Sequence, residues 1–369
     1  MSTHGPATER PAATSTRHTV RHVVVLLITP LLMCLGMGMA YLGAFHAPHA
    51  HGLKVAVVGT SPRQQVLAQT IKDKAGDALD VTTVPDRAAA RHQIMDRDLV
   101  GAYVPSATHP ELLVAKAGSD TSATAAQAVF TTVADQQGVP LHVTDLSRLS
   151  SGDPTGQGLF FLLVALSIGS YASVAAISAG GATLRIGIRA AIGLATALAV
   201  SVIGTVLAGP VFHVADHHLA GLWGMALLYS AGILTIGVAL HTFLGRWTTL
   251  GMMVLFVMLN FTSSGGIFQP ALQNGFFGAL HAFWNGAGFI EGVRGLLYFG
   301  SRDMGGHVLT LALWLVAGVV LLAAAALTER RTAAAPAGSP GPTPDRSEDE
   351  EQDSAEVLAE EEMGEAVAA

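Results

Sequence analysis

Glu291 and Arg294 lie three positions apart in a stretch that is otherwise apolar and rich in glycine. On a helix this spacing puts a carboxylate and a guanidinium on one face, where they can pair. Such a pair can shape a gate. It can equally hold a hairpin together as an interfacial ion pair, which asks less of the residues. Asn260 and the run Thr262-Ser-Ser-Gly-Gly, with Ser263 and Ser264, close the preceding apolar segment. They can line a conduit or end a helix, and helix termination is the simpler account.

Other chemistry-bearing residues lead nowhere. His213, Asp216, His217 and His218 have helical ligand spacing, but they share one short loop and have no clear fourth ligand, so no metal is assigned. His46, His49 and His51 read as linker residues. The turn Val58-Gly-Thr-Ser lacks the glycine pattern of a dinucleotide site and reads as the end of a strand. None of the four lysines follows a glycine, so the chain carries no Gly-Lys-Ser/Thr phosphate loop and is no P-loop ATPase by itself. No nucleophile constellation supports an enzyme. Basic residues are scattered without interleaved aromatics, which argues against nucleic-acid binding. The single cysteine, Cys34, excludes an intrachain disulfide.

The elements that must position these residues are apolar. Half of the chain is hydrophobic and 13% is charged, the balance of a membrane protein. Five apolar segments, at 159–179, 190–212, 219–241, 249–268 and 307–327, hold no Asp, Glu, Lys or Arg. Each approaches or exceeds the roughly 20 residues that cross about 30 Å of hydrocarbon. A sixth, 23–45, precedes them. It is longer than a signal-peptide core, so an uncleaved first span is expected rather than a cleaved leader. The expected fold class is an α-helical integral membrane protein with six spans. The spans hold no buried carboxylate or lysine, which argues against an ion-coupled transporter.

Between the first two spans, residues 46–158 alternate strand-like and helix-like runs and predict an α/β domain. Residues 1–22 read as a basic tail, and 329–369 as a disordered acidic tail. From Thr332 onward there are eleven acidic residues and one Arg, leaving 19 basic and 16 acidic residues before it. The negative net charge therefore belongs to the tail. Arg10, Arg17 and Arg21, Arg185 and Arg189, Arg246, and Arg330 and Arg331 mark alternate loops as cytoplasmic. Both termini are then inside, in a multi-pass protein of the plasma membrane, and the domain 46–158 is extracytoplasmic. Segment 269–306 is also outside, as two short helices of about 270–282 and 287–299, lying at the interface or dipping back in. A crossing there would bury Glu291 and Arg294 at a cost of roughly 2.5–3.5 kcal/mol each before pairing.

Three runs resemble a known family: Ser263-Ser-Gly-Gly-Ile-Phe-Gln-Pro-Ala-Leu, Gly275-Phe-Phe-Gly-Ala-Leu-His-Ala-Phe, and Gly286-Ala-Gly-Phe-Ile-Glu-Gly-Val-Arg-Gly-Leu-Leu-Tyr-Phe. With Asp96-Arg-Asp-Leu-Val-Gly-Ala-Tyr-Val-Pro and the order of parts over 23–328, they are similar to the YhgE/Pip (phage infection protein-like) branch of ABC-2 type membrane permeases. The resemblance implies a five-helix ABC-2-like domain over 159–328 and a permease subunit that exports a lipid, drug or peptide. ATP would act through a separate ABC ATPase. Five or six spans make a small pathway, so pairing with a second copy or a sister permease is expected, within membrane lipid. Residues 1–22 do not form the amphipathic helix with which such permeases often begin. The loop 180–189 is then the candidate coupling element, and Arg185 and Arg189 either meet a partner there or simply obey the charge rule. The alternative is a non-transporting envelope receptor or scaffold that uses the outer domain.

Overall fold

The computed structural model describes residues 16–334, apart from Arg148 and Asp303. The chain from its start to Ala326 clusters as one compact unit; of the residues beyond, those to Ala334 are described only as helix.

A five-stranded sheet forms the core of a lobe spanning Leu53–Asp145. Its strands are β1 (Leu53–Val58), β2 (Leu79–Val84), β3 (Gly101–Val104), β4 (Glu111–Val114) and β5 (His142–Asp145), in the order β2-β1-β3-β4-β5. β1 is parallel to β2 and β3, β3 is antiparallel to β4, and β4 is parallel to β5. β1 lies between two neighbours and is nearly continuously apolar, as a strand covered on both faces must be. One face is covered by α2 (Pro62–Ala75) and α4 (Asp120–Asp135), through Ala68, Ile71, Ala126 and Phe130. The Phe130 ring stacks on Tyr103 with 5.1 Å between centroids. The other face packs on α3 (Arg87–Met95) through Ala90 and Ile94. Asp86 and Ser119 cap α3 and α4 by accepting from the backbone N–H groups of Ala89 and Ser122.

Five helices are long and apolar enough to cross a membrane, the pattern of a membrane-embedded protein. They are α1 (Thr16–Phe45), α5 (Gly158–Gly180), α6 (Ile186–Val206, extended by a π-helical turn to Val211), α7 (Leu219–Leu244) and α12 (Met304–Ala334). Three helix boundaries differ from the sequence expectation. α1 begins at Thr16, inside the expected tail 1–22. α12 runs to Ala334, so residues 329–334 are helical, and the rest of the acidic tail lies outside the described residues. The segment expected to span at 249–268 forms only the 16 residues Thr248–Ser263: α8 (Thr248–Met253), a π-helical turn, and α9 (Leu259–Ser263). The helix stops where Ser264, Gly265 and Gly266 begin. Gly265, at φ +72°, takes a backbone conformation open to glycine.

After the break, the chain makes α10 (Gly275–His281) and α11 (Asn285–Tyr298). This hairpin dips in. The Trp284 indole donates to Leu255 O at 3.2 Å, and the Trp314 indole donates to Phe283 O at 2.8 Å. Trp314 lies ten residues into α12, so the hairpin tip is sunk about 15 Å below the start of that helix. α11 then climbs back to the lobe, where Phe299 joins Ala56, Val84, Ile94 and Leu113 in the second core. One face of the sheet is thus completed by a residue of the helical part.

Phe299→Ala should remove about 3–5 kcal/mol of packing from that core. Faster hydrogen exchange in β3 and β4 of the full-length protein in detergent is the expected result. Unchanged exchange would show that the lobe needs no support from the hairpin.

Candidate functional site

The interrupted helix sets the site. A helix end leaves carbonyl groups without intrahelical partners, and no water satisfies them inside a bundle. Here the hairpin supplies the donors. Gln273 Nε2 donates to Thr262 O at 2.7 Å, and His281 Nδ1 donates to Ser263 O at 2.9 Å. The Arg294 guanidinium donates to Gly265 O at 2.9 Å and to Gly266 O at 3.2 Å. Four successive or near-successive carbonyls are met by three side chains of 273–294.

A buried guanidinium requires a counter-charge. Arg294 finds it in Glu291, one helical turn back at 2.9 Å, and both residues are 3% exposed. The other carboxylate oxygen accepts from Arg97 of the lobe. Gln269 Nε2 adds a longer contact at 3.4 Å. Arg97 reaches this position from a left-handed backbone, at φ +68°, rare for a side chain of its size, and it also lies over the Phe299 ring at 5.4 Å. Its neighbour Asp96 pairs with Arg302 on the far side of the hairpin. Thr121 Oγ1 donates to Ile267 O, and Gln269 Nε2 also reaches Gly118 O. Between lobe and hairpin remains a polar cavity of about 360 Å³, bordered by Asp96, Arg97, Ser122, His281, Glu291 and Arg302. Away from this cavity, the Tyr298 phenol, which donates to Val214 O, is pushed up to about 12 by burial and by the nearby Asp153 carboxylate, so it stays neutral.

Deeper in the bundle lies an uncharged group. Asn260 Nδ2 donates to the Tyr229 hydroxyl at 2.6 Å, which lies 2.5 Å from Ser167 Oγ. Gly286 permits this, because a Cβ there would strike Asn260 Oδ1. Asn285 is fully buried beside it in sequence, with neither amide atom hydrogen-bonded.

The sequence candidates separate. Glu291, Arg294 and Asn260 fall in this region. Ser263 and Ser264 are buried, but their hydroxyls donate to Leu259 O and Phe261 O of their own helix, which makes them part of its termination. Arg185 is exposed just before α6, and Arg189 is buried within it. His217 bonds Leu297 O, and His213 lies 3.3 Å from Asp216. Among the described residues no group of three His, Cys, Asp or Glu side chains is placed to hold a metal ion. Sequence reasoning missed Arg97, Gln273, His281, Ser167 and Tyr229. The last two carried a usable signal, as polar residues inside apolar segments. Arg97 carried none, because its partner is 194 positions away.

No family model matches the chain, and no curated protein or solved structure shows significant similarity to it.

Replacing Arg294 leaves two carbonyls without their donor and the Glu291 carboxylate without one of its two guanidinium partners. Arg294→Met should lower stability by about 3–5 kcal/mol, and Arg294→Lys by less, since one ammonium cannot reproduce the guanidinium fork. Thermal unfolding in detergent should rank wild type above Lys above Met. A Met variant as stable as wild type would show that the broken helix end needs no cap.

Proposed function

We propose that this protein is a membrane permease subunit of the ABC-2 type, closest to the YhgE/Pip branch, exporting a lipid, drug or peptide with a separate ATPase. The observation that carries the reading is the interrupted α8–α9 helix with its sunken hairpin and buried Glu291–Arg294 pair. Irregular backbone and ionised side chains at such depth are costly, and they persist where a cavity or pathway uses them. Discontinuous helices inside a bundle are a recurrent way of building substrate sites in transporters.

The proposed topology has six passes, the interrupted helix and the bent segment that follows it serving as the fifth. Arginines support it. α1 ends beside the hairpin, where Asn274 Nδ2 donates to Gly43 O, and leads directly into the lobe. Its start, near Arg17 and Arg21, is then at the opposite end, with Arg185 and Arg246. That end is cytoplasmic by the positive-inside rule, and the lobe is outside. Arg185, exposed there, is assigned to the contact with an ATPase. Arg189 is buried and is assigned to holding α6 in place. The alternative reading, a non-transporting envelope receptor or scaffold, accounts for the lobe but leaves the polar interior without a role.

Two measurements test this. In a Cys34→Ser background, an impermeant maleimide applied to intact cells should label Gln136→Cys in the lobe. It should label Thr183→Cys, between α5 and α6, only after permeabilisation. Protection of Gln136→Cys in cells, with normal reaction in detergent, would reverse the topology. An ATPase should copurify with the intact chain and be lost on Arg185→Glu. If none copurifies and deletion changes no efflux, the permease reading fails and the scaffold reading takes its place.

A further inference from the structure

α5, α7 and α8–α9 meet in layers that alternate in polarity along the bundle. At the end away from the lobe, Ser178, His241 and Thr248 border a cavity of about 300 Å³, with Thr248 Oγ1 and His241 Nδ1 3.3 Å apart. One turn toward the lobe, on each of the three helices, stand Val174, Gly237 and Met252. Val174 and Met252 are each 1% exposed. They fill the space above Gly237 so closely that a Cβ there would meet Met252 Cε at 2.8 Å and collide with Val174. A further turn brings Ser170, Ile233 and Phe256. Ser170 Oγ is buried with no hydrogen-bond partner, as is the nearby Ser230 Oγ. The next turn is the Ser167–Tyr229–Asn260 group, where Asn260 Oδ1 is likewise unpartnered.

The sequence prepares this arrangement. Leu163, Ser167, Ser170, Val174 and Ser178 recur at three- and four-residue spacing and form one buried face of α5. Hydroxyl and amide groups buried without partners are destabilising, because each has given up its hydrogen bonds to water. Apolar side chains of the same shape would relieve that. Three such atoms at Ser170, Ser230 and Asn260, within the two turns behind an apolar layer that faces a cavity, mark a place built to be occupied by hydrogen-bonding groups. None of the layers holds an Asp, Glu, Lys or Arg.

We infer that this seam is a passage through a single copy of the chain for an uncharged hydrogen-bonding solute or headgroup. The Val174–Met252 layer on Gly237 closes it, between the far cavity and the hydroxyl–amide station at Ser167, Ser170, Tyr229 and Asn260. The inference deepens the permease reading, on which its purpose rests: it names the route and the chemical class that would use it.

Cysteine accessibility tests it in the full-length protein in lipid nanodiscs, in a Cys34→Ser background. The probes are neutral 2-hydroxyethyl methanethiosulfonate and anionic 2-sulfonatoethyl methanethiosulfonate. With the apolar layer intact, Ser170→Cys should react with the neutral reagent at least tenfold more slowly than Thr249→Cys, which lines the far cavity. Adding Met252→Ala should raise the Ser170→Cys rate at least tenfold and leave Thr249→Cys unchanged. After normalisation to Thr249→Cys, that gain should be larger for the neutral reagent than for the sulfonate. Where Met252→Ala is not monodisperse, Val174→Ala serves the same comparison.

A Ser170→Cys rate indifferent to both substitutions overturns the closure, as does equal reactivity at both positions with the layer intact. An equal gain for the two reagents overturns the uncharged class. Labelling does not involve the ATPase. Failure here with an ATPase still copurifying sinks the passage alone, and the reverse outcome sinks ATP coupling alone.

Discussion

The backbone carbonyls at the broken end of α9 govern the rest of the structure. A helix that stops inside an apolar bundle exposes acceptors that water would otherwise satisfy. Gln273, His281 and Arg294 supply the donors, and they can do so only if the chain turns back into the bundle after Pro270. The sunken hairpin is therefore the geometric consequence of the helix break. One requirement generates the next: a buried guanidinium needs Glu291, and the second oxygen of Glu291 takes Arg97. The lobe is consequently tied to the hairpin at the place where the helix was interrupted.

This arrangement is a poor way to gain stability alone. Replacing a buried ion pair by apolar side chains of equal volume is often neutral or favourable, because both charges lose their hydration. What the pair does supply is position. Glu291 sits between guanidinium groups from two parts of the chain, Arg97 and Arg294, and Asp96–Arg302 fixes the adjacent residue of the same lobe loop. Phe299 adds the apolar contact beside them. A displacement of the hairpin would disturb the helix cap, the ion pairs and the second core of the lobe together, which makes it a natural element for linking events in the lobe to events in the bundle.

Two kinds of interior follow from this. Near the lobe, charges face one another across a polar cavity. At mid-depth, hydroxyl and amide groups of Ser167, Ser170, Tyr229 and Asn260 lie behind the Val174–Met252 layer, and His241 and Thr248 lie beyond it. The distinction has a dielectric reason. An ionised group is tolerable where several donors and a counter-charge converge, as they do around Glu291 and Arg294 at the helix break.

The helical class and the α/β composition of the lobe were legible in the sequence, because hydrophobic periodicity is local. The five strands fall within 46–158, where alternating strand-like and helix-like runs predict them. Glu291 and Arg294 were legible as a pair, since three-residue spacing is itself helix geometry. The stop at Ser263 was half legible. Ser, Ser, Gly and Gly announce an ending, yet Ile267 and Phe268 continue the hydropathy and concealed how early the helix breaks. Tertiary structure alone decided that Arg97 completes the pair, that Gln273 and His281 cap α9, that Arg189 is buried, and that serines of α5 meet Tyr229 and Asn260. These contacts join residues far apart in the chain, and only the packing of whole elements brings their side chains within hydrogen-bonding reach.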